Sequence, residues 1–122
     1  MNIDYIMNNL YEILENRIDS NDDRNSFNMK LFQIDRNEFD DIRIRIYEEY
    51  SIIEIDIMID SIRNSINIMI LDNEESEENN LIYDILYSIN LEIYSEFNFK
   101  RLKNLIIHMI NDYLEIHYQI KI

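Results

Sequence analysis

The chain of 122 residues contains no cysteine, glycine, proline or tryptophan, and reading along it also finds no alanine, valine or threonine. Without cysteine there can be neither a disulfide framework nor a thiolate zinc site. Without glycine, the P-loop and dinucleotide-binding fingerprints are excluded, and the tight turns that bring backbone N–H groups against a phosphate or an oxyanion are hard to make. Wherever a turn needs positive φ, Asn must serve instead. Apolar runs such as Ile68-Met69-Ile70-Leu71 fall far short of the roughly 20 residues of a membrane span. The N-terminus shows neither a basic region nor an apolar signal core. A soluble, unprocessed, cytoplasmic chain is expected.

Cations are also scarce. Eleven Lys and Arg stand against 25 Asp and Glu, a formal charge of −14. Phosphate backbones and anionic membrane surfaces are bound through Lys and Arg, so neither nucleic acid nor membrane is an expected partner. A basic protein is the natural complement. The length fits one domain, residues 1–122, folded around a single core.

What is present is dominated by Ile, Asn, Glu, Asp and Leu. An AT-rich genome favours Ile, Asn, Tyr, Lys and Phe. It does not account for 25 acidic residues, whose codons begin GA, beside no valine, whose codons begin GT. Extreme drift in an AT-rich virus, phage or symbiont would produce this alphabet. So would a deliberate restriction of the building blocks, which would make the chain an engineered one.

Residues 3 to 18 predict an amphipathic helix, because Ile3, Ile6, Met7, Leu10, Ile13, Leu14 and Ile18 follow the three-and-four spacing of one helical face. The polar run Ser20 to Asn25 reads as a loop. Phe27, Met29 and Leu31 then alternate with polar residues and predict a first strand. The segment "DIRIRIYEEYSIIEIDIMID", residues 41 to 60, predicts a hairpin with a loop over Glu48 to Ser51. One face pairs Ile42 with Ile57, Ile44 with Ile55 and Ile46 with Ile53; the other pairs Arg43 with Asp56 and Arg45 with Glu54. A slip by one residue would put the isoleucines in water, so the pattern selects its own register. A helix over the same segment would scatter Ile44, Ile52, Ile55 and Ile59 around its circumference. A third strand, Ser65 to Leu71, is expected to pair onto the second across a loop over Asp60 to Arg63, opposing Ile57 with Ile66, Ile55 with Ile68 and Ile53 with Ile70.

Beyond the acidic run Asp72 to Asn80 the period becomes helical again. Leu81, Ile82, Ile85, Leu86 and Ile89 share a face, with Ser76 as N-cap and Glu77 and Glu78 where the helix dipole favours anions. A further helix is expected from about Lys100 to Asn111. Leu114, Ile116, Tyr118, Ile120 and Ile122 alternate and predict a last strand, whose open edge would allow pairing with a second copy as a homodimer. The expected fold is therefore α+β: an N-terminal helix, an antiparallel meander of three to four strands, two C-terminal helices and a last strand.

No catalytic constellation stands out. His108 and His117 do not share one helical face, as paired zinc ligands commonly do. The run Asp72 to Glu78 lacks the glycine and ligand spacing of a calcium loop and reads as a solvated linker. Lys100, Arg101 and Lys103 read as a wet helix face. No enzyme, cofactor or metal is expected. One asymmetry exceeds this background: no Lys or Arg occurs from Asn64 through Phe99. Within that segment Glu74, Glu75, Glu77, Glu78, Asp84 and Glu92 surround Tyr83 and Tyr87, which the helical reading places one turn apart and off the apolar stripe. Tyrosine among carboxylates offers rigid buried area while the acids steer a basic partner. These eight residues are the expected partner-binding set.

The order of helix, three-stranded meander and two helices, together with the charge, is similar to that of small acidic anti-CRISPR inhibitors. That resemblance implies inhibition of a basic nuclease by imitation of DNA, as in immunity proteins and antitoxins that mask a toxin. A second resemblance, of "FDDIR" at 39 to 43 and "MINDYLEI" at 109 to 116 to poxvirus Bcl-2-like proteins, implies an all-α fold and a host-interaction role.

Overall fold

A computed structural model describes residues 3–22, 31–47, 51–74, 85–91 and 98–122. Helix α1 spans Ile3–Asp22, and strands β1 (Leu31–Arg36), β2 (Ile42–Tyr47), β3 (Ser51–Asp60), β4 (Ser65–Glu74) and β5 (Ile85–Asn90) follow. Helix α2, Phe99–Tyr118, comes last. The strands form one antiparallel sheet whose spatial order, β1-β2-β3-β4-β5, is the order of the chain. The fold is α+β, with five strands and two helices among the described residues.

The β2–β3 hairpin has the register that the isoleucine alternation predicts: Ile42 opposes Ile57, Ile44 opposes Ile55 and Ile46 opposes Ile53, while Arg43 faces Asp56 and Arg45 faces Glu54. The β3–β4 register differs from expectation. Ile55 opposes Ile70 and Ile57 opposes Ile68, a shift of two residues. The turn decides this. Asp60 accepts the N–H groups of Ile62 and Arg63 on Oδ1 at 3.1 Å each, and Asn64 closes the turn at φ 50°, so the loop begins at Ser61 rather than Asp60.

Asp40 (φ 63°), Asn64 and Gln119 (φ 56°) are the positive-φ residues among those described. Asp and Asn side chains tolerate this region better than other non-glycine residues, and they stand where glycine would be expected in the β1–β2 and β3–β4 turns. Asn37 braces the first of these, its Oδ1 accepting from the N–H groups of Phe39 and Asp41 at 2.8 and 3.1 Å.

Other expectations are corrected. The first strand lies at Leu31–Arg36, later than predicted; Phe27 and Met29 fall outside the described residues. Helix α1 runs on to Asp22, through part of the predicted loop. The helix predicted to begin near Glu77 is, over Ile85–Asn90, a strand. Ile85, Tyr87 and Ile89 also alternate, and β4 offers a row of backbone groups that a strand can pair and a helix cannot. The register between β4 and β5 shifts at Ile68/Met69, which pair with Tyr87 and Ile85 and leave Leu86 as the extra residue. The predicted last strand does not form. Helix α2 continues to Tyr118, burying Leu114 with Ile110 and Ile106 and leaving Ile116, an inward residue in the strand reading, 76% exposed. Ile120 and Ile122 are buried all the same. Gln119 turns the chain back, and Asn111 holds the end by donating from Nδ2 to the Ile122 carbonyl (3.1 Å) and accepting the Ile122 N–H on Oδ1 (2.8 Å).

The all-α fold implied by the Bcl-2-like resemblance is not observed. "FDDIR" covers the β1–β2 turn and the start of β2, and "MINDYLEI" lies within α2.

One hydrophobic core joins both helices to one face of the sheet. Ile6, Leu10, Leu14 and Ile18 of α1 and Leu102, Ile106, Ile110 and Leu114 of α2 meet the isoleucines of β2, β3 and β4. The row Ile44, Ile55 and Ile70 crosses three strands and is buried throughout. Each such side chain contributes roughly 1.5–3 kcal/mol of transfer free energy.

Candidate functional site

Of the eight expected partner-binding residues the structure describes two, Glu74 and Tyr87. Glu74 ends β4, its Cα partner being Ser51. Tyr87 sits on β5 opposite Ile68, half-buried and packed against the core, not on an exposed helix face. Counted along β4, Glu74 lies six positions from Ile68, about 20 Å at the rise of a strand. Glu75, Glu77, Glu78, Tyr83, Asp84 and Glu92 lie outside the described residues.

The sheet face turned away from the two helices carries a network of charges. On β2 and β3, Arg43 donates from Nε to Asp56 Oδ1 at 2.9 Å and Arg45 from Nε to Glu54 Oε1 at 3.0 Å. Glu54 also lies 3.5 Å from Arg43, so the pairs are linked diagonally. The row continues to the edge, where Asp35 of β1 opposes Arg43 and Gln33 opposes Arg45. Tyr47 donates its hydroxyl to Gln33 Oε1 at 3.1 Å.

Asp56 is only 6% exposed. Burial pushes its carboxyl above the usual range, and the nearby Glu54 adds to the rise, against the opposing pull of the Arg43 bond. Both guanidiniums are held above their ordinary value, Arg43 by its bond to Asp56 and Arg45 by its bond to Glu54. The network is an internally neutralised device that fixes register. It presents neither an activated nucleophile nor a base poised against one.

A second feature lies at the sheet edge. Glu15 and Ile18 of α1 and Phe32, Gln33, Ile34 and Asp35 of β1 line an open groove of about 350 Å³. Phe32 is buried and Ile34 half-buried, whereas Gln33 and Asp35 are exposed. Just beyond, the Tyr11 hydroxyl is raised above its ordinary value by its hydrogen bond with Glu15, then by burial and by the negative charge of Glu15 and Asp35. Arg36 is committed elsewhere. Its Nε and Nη2 donate to the Asp40 carbonyl at 3.2 and 2.8 Å, and its Nη1 donates to Asn8 on α1. The arginine thereby ties the β1–β2 turn to the helix, and the described lining of the groove is carboxylates, an amide and apolar groups. Sequence reasoning missed this groove because it placed the first strand too early. The alternation of Phe32 and Ile34 with Gln33 and Asp35 was the available signal.

The histidines stand apart from both features. His108 Nε2 lies 3.2 Å from Asp112 on the exposed side of α2, and the His117 ring packs on Tyr113 at a centroid distance of 4.2 Å. No group of three or more potential metal-ligating side chains occurs among the described residues, and no helix among them is long and apolar enough to cross a membrane.

Comparison with protein-family models, with curated proteins and with solved structures finds no match to this chain.

Proposed function

We propose that the chain is a small, acidic, non-enzymatic cytoplasmic protein that binds and inhibits a basic partner protein, in the manner of immunity proteins, antitoxins or DNA-mimicking anti-CRISPR proteins. The observation that carries this reading is the distribution of charge: a formal −14, with no Lys or Arg from Asn64 through Phe99. The ion pairs add to it. Arg36, Arg43, Arg45 and Arg63 each lie against a carboxylate of the chain itself, so cationic side chains are spent within the molecule while the acidic excess remains for a partner. In this reading Glu74, Glu75, Glu77, Glu78, Tyr83, Asp84, Tyr87 and Glu92 belong to the contact surface, and the partner is a nuclease or toxin whose basic cleft otherwise holds nucleic acid.

The test is direct. The immobilised chain is challenged with a panel of basic nucleases and with acidic enzymes of similar size at low and high salt, and nuclease activity is followed in solution. Selective capture that weakens as salt rises, accompanied by inhibition, is expected. Capture of no basic nuclease, or capture indifferent to ionic strength, would sink the proposal.

A further inference from the structure

We propose that the outer edge of β1 takes up an extended basic segment of the partner polypeptide as an added strand, lodged in the groove between α1 and β1. This inference rests on the basic-partner reading and deepens it by naming how one part of the partner is held.

Strand β1 ends the sheet, pairing only with β2 among the described strands. Alternate backbone N–H and C=O groups of such a terminal strand point away from its neighbour and form a template for another chain. Beside this edge lies the open groove lined by Glu15, Ile18, Phe32, Gln33, Ile34 and Asp35. Side chains along β1 alternate, Phe32 and Ile34 toward the helices, Gln33 and Asp35 toward the opposite face. An added strand alternates in the same phase. It would set aliphatic side chains beside Phe32 and Ile34 and cationic ones beside Asp35, with Glu15 adding its negative charge from across the groove. The occupant is therefore a segment in which Lys or Arg alternates with aliphatic residues.

Charge selects among occupants. Among the described residues no cation lines the groove; Arg43 lies behind Asp35 on β2, and Arg36 is held by Asp40 and Asn8. Pairing of β1 with the same strand of a second copy would set two such carboxylate-bearing grooves side by side with no cation in their described lining, a poorer complement than a basic segment. Nucleic acid is repelled for the same reason.

The experiment uses the full chain and a short labelled peptide of alternating Lys and Val, blocked at both ends. Binding is expected by fluorescence anisotropy, with slowed hydrogen exchange at amides of Leu31–Arg36. The double variant Glu15→Gln/Asp35→Asn, whose unchanged circular dichroism shows that it folds, is expected to bind about tenfold more weakly. A peptide of the same sequence with methylated backbone amides cannot donate to the edge and is expected to lose binding. The strand-addition site is overturned if the methylated peptide binds as well as its parent, or if the double variant binds unchanged. It is equally overturned if the Lys-Val peptide fails to bind while the same chain still captures basic nucleases in a salt-dependent way. In that last outcome the electrostatic reading stands and only the site falls.

Discussion

The two faces of the sheet are made from the same strands, offset by a single residue, and they are stabilised by different physics. One face presents isoleucine to isoleucine across β2, β3 and β4 beneath two helices. On the other, arginine meets carboxylate. Apolar burial is non-directional, and a strand shifted by two residues would still bury isoleucine. The Arg43–Asp56 and Arg45–Glu54 pairs are directional, and such a shift leaves only one arginine opposite a carboxylate, Arg43 with Glu54 or Arg45 with Asp56. The apolar face therefore supplies most of the stability and the charged face discriminates among alternatives that the apolar face tolerates.

That division can be broken most forcefully at the centre of the apolar face. Ile55→Ala removes a fully buried side chain between Ile44 and Ile70 and is expected to cost about 3 kcal/mol in urea denaturation. A loss under about 1 kcal/mol would mean that the apolar face is not the main source of stability.

Next is Arg43→Leu, which leaves Asp56 buried without its principal partner. About 2 kcal/mol should be lost at neutral pH, below the range for fully buried pairs because Arg43 is partly exposed. The pH dependence follows from the raised pKa of Asp56. A carboxyl whose folded pKa exceeds its unfolded value costs the folded state nothing below the unfolded pKa, and its ionisation destabilises as pH rises through the folded one. The Arg43→Leu penalty should therefore shrink between about pH 7 and about pH 4. A penalty that grows on acidification would contradict the burial argument.

A smaller effect is expected for the more exposed pair. A double-mutant cycle through Arg45→Ala and Glu54→Ala should give a coupling of about 0.5 kcal/mol, reduced by salt. The smallest belongs to Ile62→Ser. Ile62 lies at the tip of the β3–β4 turn, 96% exposed, and its replacement should change stability by less than about 0.5 kcal/mol. A larger loss there would show that apolar character contributes irrespective of burial.

The same contrast explains which parts of the structure were legible in the sequence. The β2–β3 register could be read because apolar and charged pairs agree on one alignment. The β3–β4 register could not be read from alternation, since strands displaced by two residues bury the same face. The discriminating signal was local: Asp60, able to accept two backbone N–H groups, and Asn64, able to take positive φ. At 85–90 the isoleucine and leucine spacing serves a helix as well as a strand, and the choice was made by the edge of β4, a tertiary effect invisible along the chain. At the C-terminus, Ile110 and Leu114 continued the helical face of α2, and the isoleucines beyond were buried as a folded-back tail. Tyr87 was misread with its element, and Glu15 and Asp35, which were not among the expected partner-binding residues and lie far apart in sequence, could be joined only once β1 was correctly placed.

The identity of strand order and chain order has a kinetic consequence. Every pairing among the described strands joins segments that are consecutive in sequence, so each strand can zip onto the last, the longest connection being the ten residues between β4 and β5. The long-range step is the docking of α1 and α2 onto the completed isoleucine face. Chains dominated by local contacts cross their folding barrier faster than those that must first join distant segments. The β2–β3 hairpin, specified twice over by its side chains, is the natural nucleus. Arg43 and Asp56, secondary to the isoleucines at equilibrium, would then govern how quickly the molecule finds its alignment.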